Sequence, residues 1–430
     1  MLGFALAPTT GVAQPSAAHA PGDSLAASSA PAWVPGHAIP AEEPWEQVLH
    51  APYKLASVPF QQLGNLTEYV LGRIQFAQLQ APIPLIQFFM GAPPLGVHLS
   101  PGHLGRGAGH SAGIDLMPPA YDRLLTASFG ASLDHYARAR VALRHGPAGT
   151  SYLYQWRPRE KFYGRGMDSD LGSLSRYAWQ EQRYQVSWAF DPRARAARDP
   201  QGVLVWLALR EGILRRGQVG PSVDDRFPAF ASSVDGRQQY VISGVSLAHD
   251  TRQGRPHWLS GHRVELRTER FTSAGRGIRT ATLDSPHFTR TDLYAEQGFS
   301  FWRDPRTLRL SGRVVTTGQK GGSGPLAIPD LVALGGHEGL ESLPDGRYRD
   351  RDLVHADVHY VFPLSKHLEA VTLAEVGAVA RELTDLHWGT LRESYGFTLR
   401  IRSDTKIMAS AGVNWRPGAV RVHYDLLGGW

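Results

Sequence analysis

The strongest constraint in this chain is a hydrophobic period of two, held over segments longer and more numerous than an ordinary soluble sheet requires. Val264 and Leu266 alternate with Arg263, Glu265, Arg267 and Glu269, and Phe397, Leu399 and Ile401 alternate with Thr398, Arg400 and Arg402. Successive side chains of a strand point to opposite faces, so each run puts apolar groups on one side and charges on the other. A soluble sandwich turns its charged face to water, whereas a barrel in a membrane turns it inward, to a polar lumen. The pattern starts near residue 94 and continues to the C-terminus in segments of about 10–15 residues, long enough to cross a bilayer as tilted strands.

The breaks between segments alternate in length. Short turns fall at 118–122, 146–149, 251–256, 304–306 and 364–367, and longer loops rich in Gly and Asp near 163–174, 215–237, 273–285 and 318–350. In outer-membrane barrels short turns face the periplasm and long loops the outside. Strands read between these breaks number about sixteen, an even count that returns both ends to one side. The expected fold is therefore all-β, a transmembrane antiparallel barrel over 94–430. The sheet has to close, because backbone groups in lipid find no water to bond. In the last strand Val420, Val422, Tyr424, Leu426, Gly428 and Trp430 share one face, and Arg421, His423 and Asp425 the other.

Composition excludes several alternatives. With 0 Cys there is neither a disulfide framework nor a thiolate metal site. The net charge of +6 comes from 45 basic and 39 acidic residues dispersed along the chain, without the basic stripe of a nucleic-acid-binding protein. The longest stretch free of Lys, Arg, Asp and Glu, Ile74 to Gly105, is broken by Pro82, Pro84, Pro93, Pro94 and Pro101, which excludes a transmembrane helix there. Residues 1–20 have the apolar start and Ala18-His19-Ala20 site of a secretory leader, though no basic residue precedes the apolar run. Residues 21–42, rich in Ala, Ser, Pro and Gly, are expected to be a flexible linker. Within 43–93, Leu63, Leu66, Val70 and Ile74 have helical spacing, so a short helical periplasmic or plug segment is expected.

The segment LGGHEGLESLPDGRYRDRDLVHADVHYVFPL, residues 334–364, resembles the long sixth extracellular loop and following strand of the BamA/TamA family of surface-antigen barrels. Gly346, Arg347, Tyr348, Arg349 and Asp350 match that family's Gly-Arg-aromatic-Arg-Asp run, and Phe362, Pro363 and Leu364 its strand end. KFYGRGMDS at 161–169, HLEAVTLAEVGAVA at 367–380 and the last two strands are also similar, and five strands follow the loop. The alternating final strand ending in an aromatic residue resembles the recognition signal of outer-membrane barrels, with Val422, Tyr424, Leu426 and Trp430 on it. The resemblance implies a sixteen-strand barrel with this loop folded into the lumen and a weak seam between first and last strands. It implies no enzyme activity and no cofactor. It implies a place in the outer membrane, contact with membrane lipid and lipopolysaccharide, use of the barrel-assembly machinery during its own insertion, and a part in inserting or translocating proteins or lipids. A passive channel or structural barrel is the alternative.

Two departures shape the expectation. Where the family has an Arg-Gly pair in the loop, this chain reads Leu340-Glu341-Ser342-Leu343, which would set Glu341 beside the strand acid Glu375, two carboxylates that repel when close. Arg347 or Arg349 is the expected substitute for the missing arginine. No complete POTRA module fits in 43–93, so a stand-alone barrel is expected.

Three further motifs have simple structural explanations. Gly109-His110-Ser111-Ala112-Gly113 matches a serine-hydrolase nucleophile elbow, which needs a helix after the serine; Pro118 and Pro119 oppose one. His355, Asp357 and His359 share a strand face, as polar lumen residues do without any metal, and no metal is expected. Gly321-Gly322-Ser323-Gly324 lacks a phosphate-loop lysine. Tyr152, Tyr154, Trp156, Trp179 and Trp188 are expected at the membrane interfaces.

Overall fold

The computed structural model describes residues 97–101, 104, 111–116, 125–190, 202–217, 220–234, 236–255, 258–274, 286–301, 306–319, 326–364, 368–402 and 407–426. The leader, linker and helical segment expected at 1–93, and Trp430, lie outside them.

The first strands are β1 (Val97–Pro101), β2 (Ser111–Leu116), β3 (Leu125–Ser132), β4 (Ala137–His145), β5 (Ala148–Phe162) and β6 (Ser175–Ala189). Next come β7 (Gly202–Arg216), β8 (Arg237–Asp250), β9 (Gln253–Arg255), β10 (Trp258–Ser273), β11 (Phe288–Phe301) and β12 (Arg306–Gln319). A long excursion carries a small separate hairpin, β13 (Val332–Leu334) and β14 (Tyr348–Asp350). The chain returns through β15 (Asp352–Pro363), β16 (Leu368–Ala380), β17 (Arg392–Arg402), β18 (Ile407–Arg416) and β19 (Ala419–Leu426). β8 and β9 both pair with β10, so the 17-stranded sheet amounts to sixteen wall strands. Each is antiparallel to the next in chain order.

In such a meander successive connections alternate between the two ends. One end carries 163–174, 217–236, 274–287, 320–351 and 381–391, and the other 146–147, 302–305, 364–367 and 403–406, with 190–201 as its long exception. The excursion 320–351 is the sixth connection at the long-loop end, and five wall strands follow it. We call it L6.

The distribution of side chains is inverted relative to a soluble protein. In β7, Leu207 and Leu209 are exposed while Ala208 and Arg210 are buried; in β6, Tyr184, Val186 and Trp188 are exposed while Glu181 is buried. Val245, Leu247, Leu293, Leu310, Val413 and Val420 continue the outer apolar face on other strands. Buried acids such as Asp250, Glu269, Glu296, Asp357 and Glu369 occupy the inner one, with the base Arg210. An apolar exterior around a charged interior is stable only where hydrocarbon replaces water outside. The fold is a transmembrane antiparallel β-barrel.

The inner face is closely filled at the long-loop end. Trp179 is 3 % exposed and points inward, not to a membrane interface as the sequence led us to expect. It shares a face with Glu181, to which its indole N–H donates at 3.2 Å. Its ring lies where a side chain on Gly212 would be, and Trp206 covers Gly244 in the same way. Glycine in a strand interior commonly marks such a close approach. Trp188 does face outward. An apolar cluster of Trp179, Trp206, Leu214, Tyr240, Ile242, Phe271 and Phe288 receives Leu326, Ile328 and Leu331 of L6.

Two measurements check this arrangement. Leu209→Arg puts a charge on the outer face near the middle of β7 and is expected to destabilise the barrel by about 2–4 kcal/mol, as for a cation at the bilayer midplane. Urea titration of the protein folded into lipid vesicles, followed by the mobility difference between unheated and boiled samples, reads that loss. Gly212→Val overlaps the Trp179 ring and is expected to cost roughly 1–3 kcal/mol by the overpacking route. Unchanged urea midpoints would contradict these assignments.

Candidate functional site

L6 re-enters the barrel, and its local sequence explains how. Gly335, Gly336, Gly339 and Gly346 have positive φ, and Leu340 is one of two non-glycine residues that do among those described. At Gly339 the glycine has a further purpose, because a Cβ would press on the His355 ring at 2.7 Å. Hydrogen bonds from the amides of Gly346 to the Gly335 carbonyl (3.2 Å) and of Leu343 to the Leu340 carbonyl (2.9 Å) close the tip. Leu340 and Leu343 are fully buried in a second apolar cluster with Met167, Val315, Leu334, Tyr348, Leu353 and Val379. That burial offsets the roughly 1–3 kcal/mol of a left-handed leucine.

Three polar anchors fix the loop. At the tip, the backbone N–H of Glu341 donates to Glu375 Oε2 at 2.6 Å, and that of Ser342 to Ser394 Oγ at 3.1 Å. The Glu341 carboxylate turns to β18 and accepts from Asn414 Nδ2 at 2.9 Å, while Asn414 also contacts His423 Nδ1 at 3.1 Å. The expected clash of two carboxylates is thus avoided: the amide of Glu341, not its side chain, meets Glu375. Arg421 of β19 donates to the Leu343 carbonyl and lies 3.5 Å from Asp345.

The second anchor uses the Gly-Arg-Tyr-Arg-Asp run. Arg347 donates to Ser169 Oγ at 2.7 Å and to the Ser169 carbonyl, and its guanidinium lies over the rings of Tyr348 (4.4 Å) and Tyr163 (5.0 Å). Burial raises the Tyr163 phenol above its usual pKa, so the ring stays neutral and offers a π face. Arg349 pairs with Glu160 at 3.7 Å, and Asp350 receives Arg165 at 2.5 Å. The amide of Gly166 donates to the Arg349 carbonyl at 3.0 Å. Neither Arg347 nor Arg349 takes the place of the missing loop arginine at Glu375. The residues after Gly346 run back toward the 163–174 loop, where their partners are.

The third anchor was invisible in the sequence. Asp330 of L6 is 0 % exposed; its carboxylate accepts from Arg210 of β7 at 2.6 Å and from the Tyr240 hydroxyl at 3.3 Å, and its carbonyl accepts from Arg290 of β11. Arg210 also lies 3.5 Å from Glu181, which accepts from Gln155 at 3.0 Å. Here the loop supplies the acid and the wall the base, the reverse of the polarity expected around Glu375. Pro329-Asp330 lies between apolar residues with nothing in its spacing to mark it.

The remaining candidates behave as lumen residues. His359 Nε2 is 3.1 Å from Asp357 and His355 Nε2 3.6 Å from Glu375, but Arg309 lies 3.8 Å from Asp357 and within hydrogen-bond reach of His359. No metal-holding group of His, Cys, Asp and Glu occurs among the described residues. Ser111 begins β2 and accepts from the Leu104 amide at 3.2 Å, so a strand, not a helix, follows it. Val422 and Tyr424 are 74 % and 63 % exposed on the outer face of β19, with His423 buried on the inner one.

The sixteen-strand meander with its sixth long loop anchored in the lumen is the arrangement that the resemblance of residues 334–364 implied. Among solved structures the chain is similar to BamA from Haemophilus ducreyi lacking POTRA domains 1–3, with TM-score 0.50 and 10 % identity over 74 % of this chain and 66 % of that one. It is also similar to CdiB from Escherichia coli (TM-score 0.48, 13 % identity, 77 % of this chain and 62 % of that one) and CdiB from Acinetobacter baumannii (0.45, 13 %, 76 % and 57 %). The chain thus spans less than two thirds of each of these proteins. No family model and no curated protein matches the sequence. The likeness is one of fold, carried by the barrel.

Removing one partner of a buried pair strands the other charge, so Asp330→Ala or Arg210→Leu alone is expected to cost about 3–5 kcal/mol, and the double variant much less than the sum. Limited proteolysis within 326–350 is the second readout: each single variant exposes L6 to cleavage and the double variant restores part of the protection. Strictly additive losses would show that the two residues do not act as a pair.

Proposed function

We propose that this chain is an outer-membrane protein that assists insertion or translocation of proteins or lipids, with L6 as the element that fills its lumen. The observation that carries this reading is the docking of one loop against β7, β11, β16 and β18–β19 at once, which ties its position to strands spread around the wall. A loop held by a few discrete anchors has two arrangements, docked and released, and a partner that favours one shifts the other. The seam between first and last strands is the proposed path. Outer-membrane lipid and lipopolysaccharide surround the apolar wall, and the barrel-assembly machinery reads the last strand during the protein's own insertion. We assign no catalytic residue and no cofactor.

The absence of native cysteine makes a clean test. Ser342→Cys with Ser394→Cys replaces two serines whose backbone N–H and hydroxyl already meet at 3.1 Å. Oxidised, the pair should hold L6 docked and abolish the stimulation of a urea-unfolded outer-membrane barrel inserting into vesicles; reduction should restore it. If the wild-type chain gives no stimulation but conducts steadily in planar bilayers once 326–350 is deleted, the passive-channel reading replaces this one.

A further inference from the structure

A cavity of about 310 Å³ opens at the long-loop end of the lumen, between L6, the β4–β5 wall and β11–β12 across from it. Its charges are out of balance. From β4 and β5 come Arg138, Arg157, Arg159 and Lys161; from the opposite wall come Arg290 and Arg313; from L6 comes Arg349. Only three carboxylates, Glu160, Glu338 and Asp345, line the same space.

Those carboxylates are already engaged. Asp345 lies 3.5 Å from Arg421, which is not part of the cavity wall, and Glu338 lies 3.6 Å from Arg313. Glu160 is shared between Arg157 at 3.9 Å and Arg349 at 3.7 Å, both beyond direct hydrogen-bond distance. Two acids outside the cavity lining add to this: Asp134 holds Arg159 at 2.7 Å, and Asp292 of β11 also holds Arg313 at 2.7 Å. Arg138 and Lys161 form no ion pair among the described residues. A surplus of guanidinium and ammonium groups in a concave, partly dehydrated site concentrates anions, and guanidinium forks match phosphate oxygens in pairs.

We propose that this cavity binds a compact, multiply charged phosphate-class anion entering from the long-loop side, bridging the β4–β5 wall to L6. Arg138, which lies opposite the inward Gln155 in the β4–β5 ladder, supplies the unpaired wall charge, and Arg349 the loop side. Gly346 lets Arg349 lie there, since a Cβ at that position would sit 2.8 Å from its Nη2. Because the ligand touches both loop and wall, its binding holds L6 docked. The same chemistry is offered by free polyphosphate and by the phosphorylated sugars of a lipid headgroup. This inference stands on the charge of the cavity and is independent of any insertion activity.

The test uses the full chain in detergent, titrated calorimetrically with inorganic pyrophosphate, with a deacylated phosphorylated lipid A disaccharide and its dephosphorylated form, and with chloride at matched ionic strength. Binding of pyrophosphate, of the phosphorylated sugar or of both, at least tenfold tighter than chloride and than the dephosphorylated sugar, is expected. Whichever phosphate binds more tightly identifies the source. Arg138→Ala should weaken that binding at least tenfold, whereas Arg144→Ala, at the opposite end of β4, should leave it unchanged. Pyrophosphate should also slow proteolytic cleavage within 326–350 in the wild type and not in the Arg138 variant. If Arg138→Ala fails to give a heat-modifiable band, Arg138→Gln takes its place. No preference for phosphate over chloride, or equal binding by wild type and a folded Arg138 variant, overturns the proposal.

Discussion

A backbone amide facing hydrocarbon has no water to bond, and each unpaired one costs several kcal/mol. That cost decides most of what this chain does. It makes an antiparallel meander the economical route, since each strand pairs with the one just before it and just after it. It also forces an inside, and the inside is where charges must go. Arg210, Glu269, Glu296, Asp357 and Glu375 are buried, but each has a partner on L6, on another strand or in a turn between strands.

Filling that inside is a separate problem, because a barrel of this size encloses more space than its own wall side chains occupy. L6 solves it in two chemistries. Leu326, Ile328 and Leu331 join one apolar cluster, and Leu334, Leu340 and Leu343 another. Between and beside them Asp330, Glu341 and Arg347 reach the wall by hydrogen bonds and ion pairs. Polar anchors in a dry interior fix one arrangement more sharply than apolar packing alone, and they release together when one partner is lost.

The charge polarity of that docking has a simple physical meaning. An acid on the wall can be met by a loop arginine, by a loop amide, or not at all, and here Glu375 is met by the amide of Glu341. At Asp330 the charges are the other way round: the loop supplies the carboxylate and Arg210 of the wall the guanidinium.

Much of the fold was legible in the sequence because period two is local: Val264 against Glu265, or Val422 against His423, assigns faces without any knowledge of neighbours. The number of strands and the outward Val422 and Tyr424 follow from that alternation and from turn spacing, whereas the sixth position of the long loop came from the resemblance of residues 334–364. Misreadings arose where a face had to be chosen from residue type. Trp179 was expected outside because indoles favour interfaces, but the parity of β6 puts it with Glu181, inside. What only the tertiary structure decided is which charges meet. Arg210 and Asp330 are 120 positions apart, Arg347 and Ser169 178, and Arg165 and Asp350 185. Alternation says that each of the strand charges faces the lumen, but their partners depend on the curvature of the closed wall and on the height to which L6 descends, and neither is written in any local pattern.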